Sequence, residues 1–241
     1  MEFDYIEMGD CLELMNNIPD GSIDMILCDL PYGTTRNKWD SIVPLPELWA
    51  AYKRIAKKNA AVCLFSQPPF DKALGISNIS KLRYEWIWVK DNGTGFLNAN
   101  RMPLKKTENI LVFYDTLPVY HPQMTEGKPY KNKQGSGSEN WNYNRDQGGH
   151  ITENNGTRYP VNVLNFNRDQ QGYHTTQKPV ALLEYLIRTY TDPGAVVLDN
   201  CMGSGSTCVA CVNTDRHYIG FEREAKYFEI ACQRLDEAES G

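Results

Sequence analysis

Val196-Val-Leu-Asp-Asn-Cys-Met-Gly-Ser-Gly-Ser-Thr207 reads as a short buried strand, an acid at its end, a glycine-rich turn and the start of a helix. Glycines let backbone approach a ligand closely, and a helix N-terminus offers unpaired amides. The phosphate-loop pattern fails because no Gly-Lys-Ser/Thr follows, and the dinucleotide fingerprint fails because its third glycine is missing. A nucleoside cofactor without a pyrophosphate suits the turn better. Glu222, at the end of the following strand His217–Gly220, stands where an acid accepts hydrogen bonds from ribose hydroxyls.

Outward from this stretch, short β-rich runs alternate with helical periodicity. Ile23–Cys28, Ala60–Phe65, Tyr84–Val89, Asn109–Tyr114 and Ala195–Leu198 are expected strands. Leu45–Ala56, a segment after Pro179, one from about Ser206 and Glu224–Ala238 are expected helices, the second carrying a stripe of Leu182, Leu183, Leu186, Ile187 and Tyr190. Such alternation implies an α/β fold with a mostly parallel central sheet covered on both faces. Between about Thr116 and Gly172 periodicity gives way to Gly, Asn, Gln, Ser and Tyr, the mark of a loop-rich insertion. The expected organisation is therefore one domain of residues 1–115 and 173–241, interrupted by an insertion of residues 116–172.

Composition narrows the class. With 241 residues, 41% hydrophobic and 23% charged, the chain is of ordinary globular make-up. Its longest apolar run, Ala60–Phe65, is far below the roughly 20 residues of a membrane helix. The start, Met1–Asp10, lacks the features of a secretory signal, so a reducing, cytoplasmic setting is expected, with the seven cysteines as thiols. The net charge of −5 argues weakly against a nucleic-acid partner, yet residues 101–178 hold ten basic and seven acidic residues while the rest is acidic. On charge alone, a solvated lysine-bearing loop explains this better than a polyanion-facing surface does.

Asp29-Leu-Pro-Tyr32 follows the buried run Ile23–Cys28, where ligands of open α/β sheets bind. Pro31 biases Leu30 away from helical angles, so the Asp29 carboxylate and the Leu30 carbonyl can point at one amino group while Tyr32 lies against the ring bearing it. An isolated tetrad of this kind is more often an ordinary turn. The order of segments adds weight. Gly9-Asp-Cys-Leu-Glu13, Asp29–Tyr32, His174-Thr-Thr-Gln-Lys-Pro179, Asp199–Thr207 and Gly220-Phe-Glu-Arg-Glu224 together resemble the β-class amino methyltransferases of DNA, over most of the chain.

The resemblance implies a Rossmann-like methyltransferase fold with circularly permuted motif order and S-adenosyl-L-methionine as cofactor. It implies catalysis by Asp29, Leu30, Pro31 and Tyr32. Asp10, Cys11, Thr176, Lys178, Asp199, Met202, Gly203, Gly205, Ser206, Thr207, Phe221 and Glu222 are the implied cofactor contacts, Asp10 towards the adenine. The partner is DNA, its target base flipped out, with the insertion as recognition region and Lys105, Lys106, Lys131, Lys133 and Arg145 as phosphate contacts. A bacterial or phage source in a restriction–modification setting and, by analogy, a homodimer are also implied. Asp rather than Ser at the head of the tetrad is the commoner choice of adenine N6 enzymes in this family. Cytosine N4, an RNA or protein amine, and a non-catalytic nucleic-acid-binding relative are the alternatives. Leu30 replaces a proline of the family pattern, Thr175 another, and Asn200 and Cys201 replace Pro and Phe in the glycine loop.

Three further features are weighed against simpler explanations. Gln67-Pro-Pro-Phe70 also resembles an amide-headed tetrad, but the segment order favours Asp29. Cys208 and Cys211 have metal-like spacing without a second pair, and small core side chains explain them better. Scattered histidines carry no ligand spacing, so no metal is expected.

Overall fold

The computed structural model describes residues 3–33, 41–133, 151–169 and 177–240. Thr176 and Arg145 lie outside them, as does the stretch 170–176 with His174 and Thr175. Twelve strands and six α-helices follow in chain order among the described residues: β1 (Tyr5–Met8), α1 (Cys11–Leu14), β2 (Ile23–Asp29), α2 (Leu45–Ile55), β3 (Ala56–Ser66), α3 (Phe70–Ser77), β4 (Leu82–Thr94), β5 (Lys105–Phe113), β6 (Thr125–Glu126), β7 (Tyr130–Lys133), β8 (Ile151–Asn154), β9 (Thr157–Arg158), β10 (Val163–Asn165), α4 (Val180–Tyr190), β11 (Val196–Asp199), α5 (Ser206–Val212), β12 (His217–Glu222) and α6 (Ala225–Ser240).

The main sheet has the order β1-β12-β11-β2-β3-β5-β4-β10. All pairings are parallel except those of β5, which runs against both β3 and β4. The chain leaves β2 for β3 on one side, while β11 returns more than 160 residues later to its other side, with Val197 opposite Met25 and Leu198 opposite Ile26. Helices packed on opposite faces diverge at such a reversal of strand order, and a crevice opens beyond the carboxyl ends.

Strand alternation builds both faces. Met25 and Leu27 of β2, Ala61 and Cys63 of β3 and Val197 of β11 join Leu182, Leu186, Cys208 and Ala231 from α4, α5 and α6 in one apolar layer. Ile26, Cys28, Val62, Leu64 and Leu198 join Leu48, Tyr52, Ile55, Phe70 and Leu74 from α2 and α3 in the other. Cys208 and Cys211 are buried in the first layer. In α2 the buried residues recur at spacings of four and three, as an amphipathic helix requires.

Two compact units emerge, one of residues up to His121 and from Asn162, the other Pro122–Val161. The second is therefore narrower than the insertion expected from sequence. Thr116 donates from both its amide and its hydroxyl to the Lys58 carbonyl, and His121 N–H donates to the Thr189 carbonyl. β10, which falls within the residues expected as insertion, pairs in parallel with β4 of the main sheet. The second unit pairs β6 with β9 and β7 with β8, both antiparallel. No helix among the described residues is long and apolar enough to cross a membrane.

Candidate functional site

A cleft of about 480 Å³ opens at the carboxyl ends of β2, β3, β11 and β12 and is lined by residues of the first unit alone. That volume lies within the roughly 300–1,000 Å³ of small-ligand sites. Asp29 ends β2 and Asp199 ends the adjacent β11, so both enter the same cleft. Leu30, Pro31 and Tyr32 line it as well, and because the Leu30 side chain is buried in the core, its backbone is what it offers a ligand.

Around Asp29 lies a compact charge cluster. The Lys178 ammonium, 7% exposed, sits 2.5 Å from Asp29 Oδ2 and 2.8 Å from Glu108 Oε1. Lys90 lies 2.7 Å from the other Glu108 oxygen. The Tyr32 hydroxyl donates to Asp29 Oδ1 at 2.5 Å and also lies 2.9 Å from Glu108 Oε1. Two carboxylates and two ammoniums thus balance in a largely desolvated place. Burial pushes the Asp29 carboxyl up and Lys178 opposes it, the net remaining above the ordinary carboxylate value. Burial also works against the Glu108 carboxylate, but Lys178 and Lys90 outweigh it and hold the acid down at about 2. Desolvation disfavours the Lys178 charge, and the two carboxylates overcome it, raising that ammonium. The Tyr32 ring stacks on Phe70, centroids 5.3 Å apart, so one of its faces is already covered.

The glycine turn forms the other half. Gly203 has φ +54° with open space where a Cβ would stand, so its backbone is bare towards the cleft it lines. Its N–H donates to Glu222 Oε2 at 2.9 Å, and Glu224 N–H donates to Glu222 Oε1 at 2.8 Å. Each carboxylate oxygen keeps capacity for a hydroxyl donor. Gly205, φ +77°, is needed for packing, since a Cβ there would stand 3.0 Å from that of Ala231 in α6. Thr207 also lines the cleft, and its hydroxyl donates to Asp199 Oδ2 at 2.5 Å, while Cys201 N–H donates to Asp199 Oδ1. Gly9 N–H donates to the Glu222 carbonyl, which sets Asp10 on the rim beside Glu222. Asp10 Oδ1 caps α1 through Leu12 and Glu13 amides. Cys11, Met202, Ser206 and Phe221 also line the cleft.

Placement of the expected residues is uneven. Lys178, expected among the cofactor contacts, sits with its ammonium on Asp29 and Glu108. Gln67 lines the same cleft one strand over, and Phe70 backs Tyr32, so the second tetrad-like segment supports the first. Asn200 accepts from the buried Tyr52 hydroxyl of α2 at 2.5 Å. Lys105 and Lys106 are exposed on β5. Lys131 is engaged by Glu153 of the neighbouring strand in the second unit. Glu108, Lys90 and Arg234 were not foreseen. Arg234, buried in α6, donates to the Ser204 carbonyl at 2.6 Å and to the Ser206 hydroxyl at 2.9 Å, holding the glycine turn from beneath. Gln177, also on the cleft, has a buried amide oxygen with no hydrogen-bond partner among the described residues.

A carboxylate beside a neighbouring peptide oxygen can grip an NH2 group, and the bare glycine turn with its carboxylate can hold a nucleoside. Comparison with known proteins meets the same chemistry: the family model described as DNA methylase, of the N6 and N4 type, matches residues 23–233. The chain belongs to this DNA methylase family. Among curated relatives, the Type II methyltransferase M2.MboI of Moraxella bovis is 27% identical, over 96% of this chain and 87% of its own. The Type II methyltransferase M.HinfI of Haemophilus influenzae is 28% identical, over 95% of this chain and 67% of its own. Among solved structures, a complex of M1.HpyAVI with SAM superposes with TM-score 0.65 at 24% identity, covering 96% and 98% of the two chains. The PvuII methyltransferase, described as cytosine-N4-specific, gives TM-score 0.66 at 14% identity, covering 100% and 91%. These likenesses place the methylase chain in a Rossmann-like methyltransferase fold.

Proposed function

We propose that this DNA methylase transfers the methyl group of S-adenosylmethionine to the exocyclic N6 of adenine in duplex DNA, working in the bacterial cytoplasm. The observation that carries the reading is the junction of β2 and β11, which opens Asp29–Tyr32 and the glycine turn into one cleft. Asp at the head of the tetrad favours adenine. The bare backbone at Gly203, the Glu222 carboxylate held by two amides and the Asp10 rim suit a nucleoside with a free ribose edge. Gly203, Met202, Glu222, Asp10 and Phe221 would hold the cofactor, which when bound supplies an electrophilic methyl on a sulfonium.

Everything else falls to the protein. An aromatic amine is a poor nucleophile because its lone pair is delocalised into the ring. Accepting its N–H groups on Asp29 and the Leu30 carbonyl draws the nitrogen towards tetrahedral geometry and stabilises the positive charge that develops there. Pre-aimed groups of this kind are each worth ~10²- to 10³-fold in rate. The Lys178 ammonium favours the ionised form of Asp29 against the pull of its burial. Tyr32, fixed at its hydroxyl by two carboxylates and at one ring face by Phe70, presents a rigid edge to the incoming base. After transfer, the proton leaving the alkylated nitrogen finds Asp29 as its first acceptor, with the Tyr32 hydroxyl linking that carboxylate to Glu108. A base inside a duplex cannot reach this cleft and must leave the stack, at a cost of about a few kcal/mol.

The test is methylation of duplex DNA by purified protein, followed by nucleoside mass spectrometry. N6-methyladenine is expected; N4-methylcytosine, or transfer to RNA in preference to duplex, overturns the reading. Asp29→Ala is expected to cost ~10²-fold or more, with Gln67→Ala near normal.

A further inference from the structure

β4 and β5 form a hairpin whose base is part of the cleft and whose tip lies beyond it. Lys90 and Thr94 of β4 and Glu108 of β5 line the cleft, and the last paired residues are Thr94 and Lys105. Since β4 runs in the direction of β2, the tip from Gly95 to Leu104 projects from the same end of the sheet as Asp29.

This tip is built in a way that hydrophobic burial does not explain. Gly95, φ +89°, turns the chain into a short 3-10 turn, Phe96–Asn98, which is continued by Arg101 and Met102 amides donating to the Asn98 carbonyl. The turn lifts Phe96 to 80% and Leu97 to 100% exposure, with Met102 and Leu104 also exposed. Single exposed apolar residues are ordinary; a group of four on one hairpin tip marks a contact surface. Exposed Arg101, Lys105 and Lys106 flank it. Apolar wedges bordered by cations are the means by which proteins part base steps, with the cations on phosphates.

We propose that the Phe96–Leu97 tip enters the DNA duplex and fills the space left when the target base moves into the cleft. The proposal rests on the flipped-adenine reading above and adds to it the group that takes the base's place. A flipped base leaves its neighbours unstacked, and apolar atoms inserted from the rim of the same cleft restore those contacts while the base is held at Asp29. Lys105 and Lys106 then act as anchors that bring the tip to the backbone, contributing affinity without sequence preference.

The experiment uses the full chain and a duplex containing its target sequence, first identified by single-molecule sequencing of DNA from cells expressing the protein. Single-turnover methylation is compared on the matched duplex and on one with an abasic site opposite the target, where base extrusion is already cheap. A third duplex carries 2-aminopurine at the target to report unstacking. Phe96→Ala/Leu97→Ala should slow methylation of the matched duplex by about tenfold or more, given an unstacking cost of a few kcal/mol. On the abasic duplex the loss should shrink to within about twofold, with cofactor binding and thermal melting unchanged. Equal losses on the two duplexes, or no loss on the matched one, overturn the proposal. A loss of self-association on sedimentation together with equal losses would instead make the tip a contact between two copies. A wild-type protein that methylates without any 2-aminopurine signal overturns the flipping reading itself and the wedge with it.

Discussion

Glu108 and Asp29 approach one ammonium from two strands, β5 and β2, and the Lys178 charge favours the ionised form of each where burial disfavours it. Replacing it tests this directly. Lys178→Met leaves two buried carboxylates near a shared hydroxyl, so the Asp29 acid must rise further. Activity needs the ionised form and is lost as pH falls through the Asp29 value, so the acid limb of the kcat profile should move to higher pH. At neutral pH the variant should be slowed ~10²-fold, with recovery as the pH is raised, and Lys178→Arg should move the limb less. An unmoved limb would separate Lys178 from the chemistry. Asp29, Tyr32 and Glu222 were legible because each ends an apolar run and carries a group with an obvious use. Glu108 was not: it immediately precedes the apolar run Asn109–Tyr114, and an acid at a strand's start ordinarily looks like a solvated boundary. Lys178 was visible only as part of a motif, since nothing local says which of two neighbouring sites a long side chain will reach.

At the scale of the element, the glycine turn and helix α6 act together. Gly203 and Gly205 both have positive φ, but only Gly205 lies against another chain segment, at Ala231. Gly205→Ala should therefore cost about 2–3 kcal/mol in stability through backbone strain and overlap, whereas Gly203→Ala should cost about 1 kcal/mol yet weaken cofactor binding. Denaturant melts and calorimetric titration separate the two effects. Arg234→Met should cost about 3 kcal/mol by leaving buried oxygens of Ser204 and Ser206 without a donor, and it should raise the cofactor Kd as the turn loosens. Long periodic elements such as α2 and α4 were plain in the sequence. β1, α1 and α3 were missed, because four to eight residues carry too little periodicity to stand out, and β1 is defined by its pairing with β12 rather than by its own pattern. The second unit's four short strands were equally silent, being fixed by antiparallel partners within a polar segment.

For the molecule as a whole, the two halves of the site come from opposite parts of the chain and share one buried acid that couples stability to pH. Burial raises the Asp199 carboxyl to about 6, against the opposing pull of Thr207 and the Cys201 amide. The folded state thus holds this proton more tightly than the unfolded chain, and stability falls as pH climbs from about 4 to 6, then levels off. Asp199→Asn lacks that loss, so its melting temperature should gain on the wild type across this window, by up to about 3 kcal/mol in stability. A constant difference between the two would place the proton elsewhere.

A break in the polypeptide between β7 and β8 would give two fragments, one with Asp29, Tyr32 and Glu108, the other with Lys178, the glycine turn and Glu222. Each would expose the strand edge that its partner buries, and neither would hold a complete set of groups. Methylation by the mixture should then rise with the product of the two fragment concentrations, making the enzyme its own sensor of whether two tethered molecules have met.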